Sequence, residues 1–437
     1  MGIWILGLFR RKNRAPNLLE AAFRGEVEAV RQLIGSGAHV DERGPRGATP
    51  LMLACQEGRD EVVEVLLRAE ANPNSRNALG VTPMGLAAFA GHESVLRSLL
   101  DGGADLDSKD GKSNTPLMLA CENGRLSAAR LLLDAGASPS ALNEDGHTAL
   151  ALAVQSSRVD IVELLLERGV SPDLSDQEGT RALMLAAEAG DLDLAKRLLA
   201  AGASIDARRN DGTTALLTAT SVGNRPMVDL LLESGADPRA ADSHGLTPFL
   251  KAAMYGHLDL ARTLLDRGAE ADGCDRLGRT ALILAAAGGH VDLARLLVSR
   301  GASIDSQAEN GATALVAASH GGYPALVKLL LEHGAAVDVR NHNGETALWK
   351  AAEEGHTRIV SLLAAASADI HAVDARGRSP VSLAAERALS DLLETFSNLG
   401  ADLDPETAAR LIANAERNGW EDVAALLRRF PAKRERS

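Results

Sequence analysis

Aromatic residues make up only 3% of these 437 residues, so no core can be built mainly from rings. The interior must come from Leu, Ala and Val, a mixture that favours closely packed helices over sheets. Cysteine is also scarce. Cys55, Cys121 and Cys274 are odd in number and form no CxxC pair, which argues against a disulfide framework or a cysteine zinc site and fits a reducing compartment. No apolar run reaches the roughly 18 residues needed to cross a bilayer. A secretory signal places positive charge before its apolar stretch, whereas here Ile3 to Phe9 precedes Arg10, Arg11 and Lys12. The expected location is therefore cytoplasmic.

What is present is a balance of 46% apolar and 24% charged residues, that of a chain able to bury a core. Net charge is −13; residues 1–14 carry +4 and residues 428–437 another +4, leaving −21 for the body between them. Such a body repels phosphate backbones, so no nucleic acid partner is expected.

Length alone would suggest about three domains, but an internal repeat overrides that estimate. Gly47, Gly80, Gly146, Gly179, Gly212, Gly245, Gly278, Gly311, Gly344 and Gly377 lie at multiples of 33 from the first, with Ser113 in the vacant slot. Seven residues after each position stands an alanine, from Ala54 to Ala384, and Ala21 occupies the same slot one period upstream. Eleven units fit without insertion, which predicts a single uninterrupted array. Within the unit beginning at Gly47, Thr49 is suited to cap a helix and Pro50 to open it, and Leu51, Ala54 and Cys55 share a face at helical spacing. Gly58 ends that helix, and Val62, Val63, Leu66 and Leu67 form the buried face of a second. Pairs such as Asp145-Gly146 and Asn310-Gly311 between hairpins read as tight projecting turns. Arg181 lacks the capping hydroxyl, and Glu70 and Ser367 replace helix-ending glycines. Cys55 and Cys121 share a slot with Ala88 and Ala187, so both read as small buried hydrophobes, whereas Cys274 lies near a turn.

The string Gly47-Ala-Thr-Pro-Leu, the small pair after it, Gly58 and the closing Leu-Leu-x-x-Gly-Ala resemble the ankyrin repeat. The resemblance implies an all-α solenoid of helix-turn-helix units with projecting turns. It divides the chain into an apolar and basic arm (1–13), an N-terminal capping repeat (14–46), eleven repeats (47–404), a C-terminal capping helix pair two residues out of register (405–430) and a basic tail (431–437). The family's TPLHxA motif has a histidine after the leucine, where this chain has Met52, Gly85, Met118, Trp349 or other residues, never histidine. Apolar contacts between units are expected to replace its hydrogen bond.

No constellation supports catalysis, a cofactor or a metal, and the chain is not expected to be an enzyme. Gly111-Lys112-Ser113 resembles the end of a phosphate loop, but the earlier glycine is replaced by Leu106. His92 and Glu93 lack the second histidine of a zinc helix, because residue 96 is leucine. His92, His257, His290 and His356 recur in one slot, which points to a structural role, since a catalytic group needs a unique site. His320-Gly321-Gly322 has no GxSxG nucleophile to serve.

The resemblance instead implies a scaffold that binds another protein through its concave face and turn tips. Tyr255, Met254 and Val222 with the turn residue Leu246 form the main candidate cluster, and Phe89 with Leu79 and Val81 the second. The arm offers an alternative function, that of an adaptor peripheral to a membrane. Trp4, Leu8 and Phe9 would supply the apolar wedge, and Arg10, Arg11 and Lys12 would meet anionic headgroups, so that residues 1–14 make weak surface contact.

Overall fold

The computed structural model describes residues 17–431, and among these it contains twenty-six α-helices, one 3₁₀ turn and no strand beyond two isolated bridges. The arm residues Trp4, Leu8, Phe9, Arg10, Arg11 and Lys12 and most of the basic tail lie outside the described residues. Contacts divide the chain into two compact units, Met1–Asn210 and Asp211–Ser437.

In both units the building block is the helix hairpin. Pro50–Gln56 followed by Asp60–Arg68 is typical, and first helices of consecutive hairpins pack on one another, as do second helices. The capping logic read from the sequence holds. Thr49 Oγ1 accepts the Met52 N–H at 3.3 Å, and the threonines at 82, 115, 148, 214, 247, 280, 313 and 346 make the equivalent bond, as does Ser379. Arg181 caps nothing and sends its guanidinium to the carbonyls of Gly179 and Arg208.

Each alanine from Ala54 to Ala384 in the periodic slot is fully buried. Its carbonyl also closes the first helix, accepting the N–H five residues on, as Ala54 does from Arg59 at 2.9 Å. A side chain larger than methyl would separate the helices, and that carbonyl would lose its donor. The helix after which the chain turns requires a left-handed residue, and glycine supplies it at most slots. Four helix-ending slots are filled otherwise, by Glu70, Ser157, Ser367 and Ala388, and the projecting-turn slot at 113 by serine; each is still held at positive φ, from 52° to 67°.

The projecting turns are joined as well. At their tips a backbone N–H bonds the carbonyl of the preceding tip: Gly111 N–H to Leu79 O at 2.8 Å in the first unit, and Ser243 to Asp211, Arg276 to His244, Glu309 to Leu277 and His342 to Asn310 in the second. Gly111-Lys112-Ser113 belongs to this ladder and is a turn. The pair Pro405–Arg417 and Glu421–Leu427 ends the second unit, and its first helix has 13 residues against 7 or 8 in the repeats.

Candidate protein-binding surface

The first helix of each hairpin ends in two residues whose side chains the hairpin core does not need. The next hairpin fixes these ends. His92 Nε2 lies 3.1 Å from Gln56 O, His257 Nε2 3.1 Å from Ser221 O, His290 Nε2 3.2 Å from Met254 O and His356 Nε2 3.1 Å from His320 O. The periodic histidine is thus a staple between hairpins. Arg59 and Arg125 fill the same slot and donate through Nε to Phe23 O and Phe89 O. Sequence spacing identified the slot, but its partner, a main-chain carbonyl 36 residues earlier, has no side-chain signature.

Stapling gives the second unit a rigid apolar feature. Val222, at the end of Ala215–Ser221, is 51% exposed, and Tyr255, which closes Pro248–Tyr255 beside Met254, is 46% exposed. The Tyr255 ring lies 6.1 Å from that of His257, the residue that holds the Val222 end. Leu246 does not join them. It is only 5% exposed, and Val81, its counterpart five repeats earlier, is 3% exposed. The reason is shared: both stand on the inward limb of the turn. Asp242 Oδ1 accepts the Leu246 N–H, Asn77 Oδ1 accepts that of Val81, and the same two residues donate their own N–H groups back. That closure turns the side chain inward, where Val81 meets Met52 and Leu86.

The apolar turn residues facing solvent are two positions nearer the tip. Leu79 was expected there; Leu277, 53% exposed, was not, although it occupies the same repeat slot as Leu79. Phe89, half-buried at the end of Pro83–Ala90, occupies the slot of Met254. Aligning the units against each other reveals both correspondences.

The family's missing histidine is replaced mainly by packing: Met52, Met118 and Leu217 are buried in its slot. Trp349 also restores a polar link, its Nε1 donating to Arg378 O at 3.1 Å in the turn before the next hairpin. Lys350 and Arg378 lie 5.0 and 5.3 Å from its ring. Burial alone would raise the Asp374 carboxyl, but the N–H and guanidinium of Arg378, with the N–H of Arg376, hold its pKa below the ordinary value. Lys350 sits between Glu345 and Glu353, 2.9 Å from each; burial opposes its charge, but the two carboxylates outweigh that and raise its pKa.

Cys55 and Cys121 are buried, and desolvation pushes the Cys121 thiol up to about 12 and that of Cys55 well above its usual value, so neither is a nucleophile near neutrality. Cys274 is exposed. His320, Glu353 and Glu354 bring three ligand atoms within 4.8 Å of one another. Glu353 is paired with Lys350, and His320 Nδ1 lies 3.8 Å from Glu354. Among the described residues no helix is long and apolar enough to cross a membrane.

Helix hairpins repeating every 33 residues, capped by threonine and closed by a buried alanine, define an all-helical repeat protein. The family model for ankyrin repeats matches residues 18–110, 86–176, 169–242, 236–308 and 315–407, and the chain belongs to that family. Proteins built from these repeats are generally protein–protein interaction scaffolds. A search of the curated proteins gives no match.

Proposed function

We propose that this chain is a noncatalytic scaffold that binds another protein, with Val222, Met254 and Tyr255 as its principal anchors and Leu79, Phe89 and Leu277 as further contacts. The observation that carries this reading is the exposure of three large apolar side chains on two adjacent helix ends, both held by imidazoles from the next hairpin. Pre-ordered apolar anchors lose little freedom on docking, and an aromatic anchor is typical of interface hot spots. The hairpin Leu18–Gly35 and the pair Pro405–Arg417 and Glu421–Leu427 serve as caps for the array, which functions in a reducing, cytoplasmic setting.

Partner capture by the full chain, compared with Tyr255→Ala and Met254→Ala, tests the reading. A partner identified with the parent chain and then purified should bind either variant about tenfold or more weakly while helicity is unchanged. Equal binding by folded variants rejects the site. The order of apolar and basic residues in the arm favours a second reading, a peripheral membrane adaptor. On that reading, removing residues 1–14 abolishes sedimentation with anionic vesicles.

A further inference from the structure

Apart from the apolar anchors, one group of side chains in the second unit has the chemistry of a cation site. His320 ends the helix Ala314–His320, Glu353 ends Ala347–Glu353, and Glu354 follows it. His320 and Glu353 stand 33 residues apart, one repeat, so neighbouring hairpins carry them in the same slot. An imidazole nitrogen and two carboxylate oxygens come within 4.8 Å of one another, and His320 Nδ1 is 3.8 Å from Glu354 Oε1. Ligand atoms about 2.0–2.2 Å from a tetrahedral zinc ion are about 3.3–3.6 Å apart, so small side-chain rotations close this group around a cation. Ligand spacing along a single helix does not disclose it, because its members come from separate hairpins.

We infer that His320, Glu353 and Glu354 bind a divalent transition-metal cation, with zinc the best match. Mixed imidazole and carboxylate donors are those of zinc sites, and three protein ligands leave a fourth position for water. The supports for such a site are in place. His356 Nε2 lies 3.1 Å from the His320 carbonyl, and Arg387 donates to the Glu353 carbonyl, so each ligand-bearing helix end is fixed by the hairpin after it. Lys350 Nζ lies 2.9 Å from Glu353 Oε2, which orients that carboxylate from outside and leaves Oε1 for the cation. The charge of Lys350 is divided between Glu353 and Glu345, 2.9 Å from each, which limits its opposition to a metal ion. His320 and Glu354 are exposed, and the corresponding positions of the preceding hairpin are Ala287 and Gly288, which lack the bulk to fill the open position. An ion held there ties two neighbouring helix ends through their side chains, in addition to the main-chain staple.

Calorimetric titration of zinc chloride into the full chain, in a Cys274→Ser background that removes the exposed thiol, tests the inference. Expected near neutral pH is a single saturable site, its affinity reduced about tenfold or more in His320→Ala and in Glu354→Gln. His371→Ala, which removes the His371–Asp402 pair elsewhere in the second unit, should leave the affinity unchanged. Both ligand substitutions are at exposed positions, so helicity is expected to stay that of the parent. Saturating zinc should also slow amide exchange at the ends of Ala314–His320 and Ala347–Glu353 in the parent but not in His320→Ala. No saturable binding, parental affinity in either ligand variant, a loss shared by His371→Ala, or exchange slowed elsewhere instead overturns the inference.

Discussion

Ala388 occupies a glycine slot with φ at 55°, where its β-carbon crowds the neighbouring carbonyl. Left-handed backbone costs an ordinary residue about 1–2 kcal/mol, partly offset by the greater freedom glycine loses on folding. Ala388→Gly is therefore expected to raise the urea midpoint by the equivalent of about 0.5–1 kcal/mol, and a lowered midpoint would contradict the slot's requirement. Ser319 presents the opposite fault. Its hydroxyl is fully buried without a hydrogen-bond partner, whereas Thr220, in the same slot three repeats earlier, donates to Leu216 O at 2.7 Å. Ser319→Ala is expected to be neutral or to stabilise by about 1 kcal/mol. A measured loss would show that the hydroxyl has a use in the folded chain.

At the level of the helix, the cap at residue 181 is absent. Arg181→Thr should supply the missing acceptor at the start of Ala182–Ala189 and add about 1 kcal/mol, read from the thermal midpoint. The turn before Pro380–Glu386 gives a pH signature. Asp374 has its folded pKa below the ordinary 3.8, so its contribution is complete above 3.8 and disappears as pH falls through the lower folded value. Asp374→Asn should accordingly weaken the fold at pH 7, with the difference from the parent shrinking as pH drops below 3.8. A penalty independent of pH would assign the effect to packing instead. Caps, glycine slots and alanines were legible because each is a local rule repeated at a fixed interval, as Thr49 and Ala54 illustrate. The direction of a turn residue was not. Leu79 and Val81 both read as apolar turn residues; Asn77 holds the N–H of each, but only Val81 also accepts the Asn77 N–H, and it is Val81 that turns inward while Leu79 faces solvent.

Within each compact unit the described helices make their main contacts with neighbouring hairpins, so the stability of a unit is a sum of local hairpins and their junctions. Removing one staple should therefore act locally. In His257→Ala, amide exchange should accelerate in Ala215–Ser221 and Leu258–Asp266, while Pro405–Arg417 retains its parental rate. Uniform acceleration throughout Asp211–Ser437 would mean that the second unit opens as one body. Of the candidate surface, its residue types were readable in advance; which were held still, and by what, was not, because staples and tip contacts run to main-chain oxygens that any residue possesses. That anonymity has an evolutionary consequence. Where Gly111 reaches Leu79 and Glu309 reaches Leu277, the bond between neighbouring fingertips runs from peptide group to peptide group. A β-carbon at Gly111 would meet the Leu79 carbonyl oxygen at 2.8 Å, but the side chains of Leu79, Leu277 and Glu309 can be exchanged without removing that bond, so new specificities are open to this protein one substitution at a time.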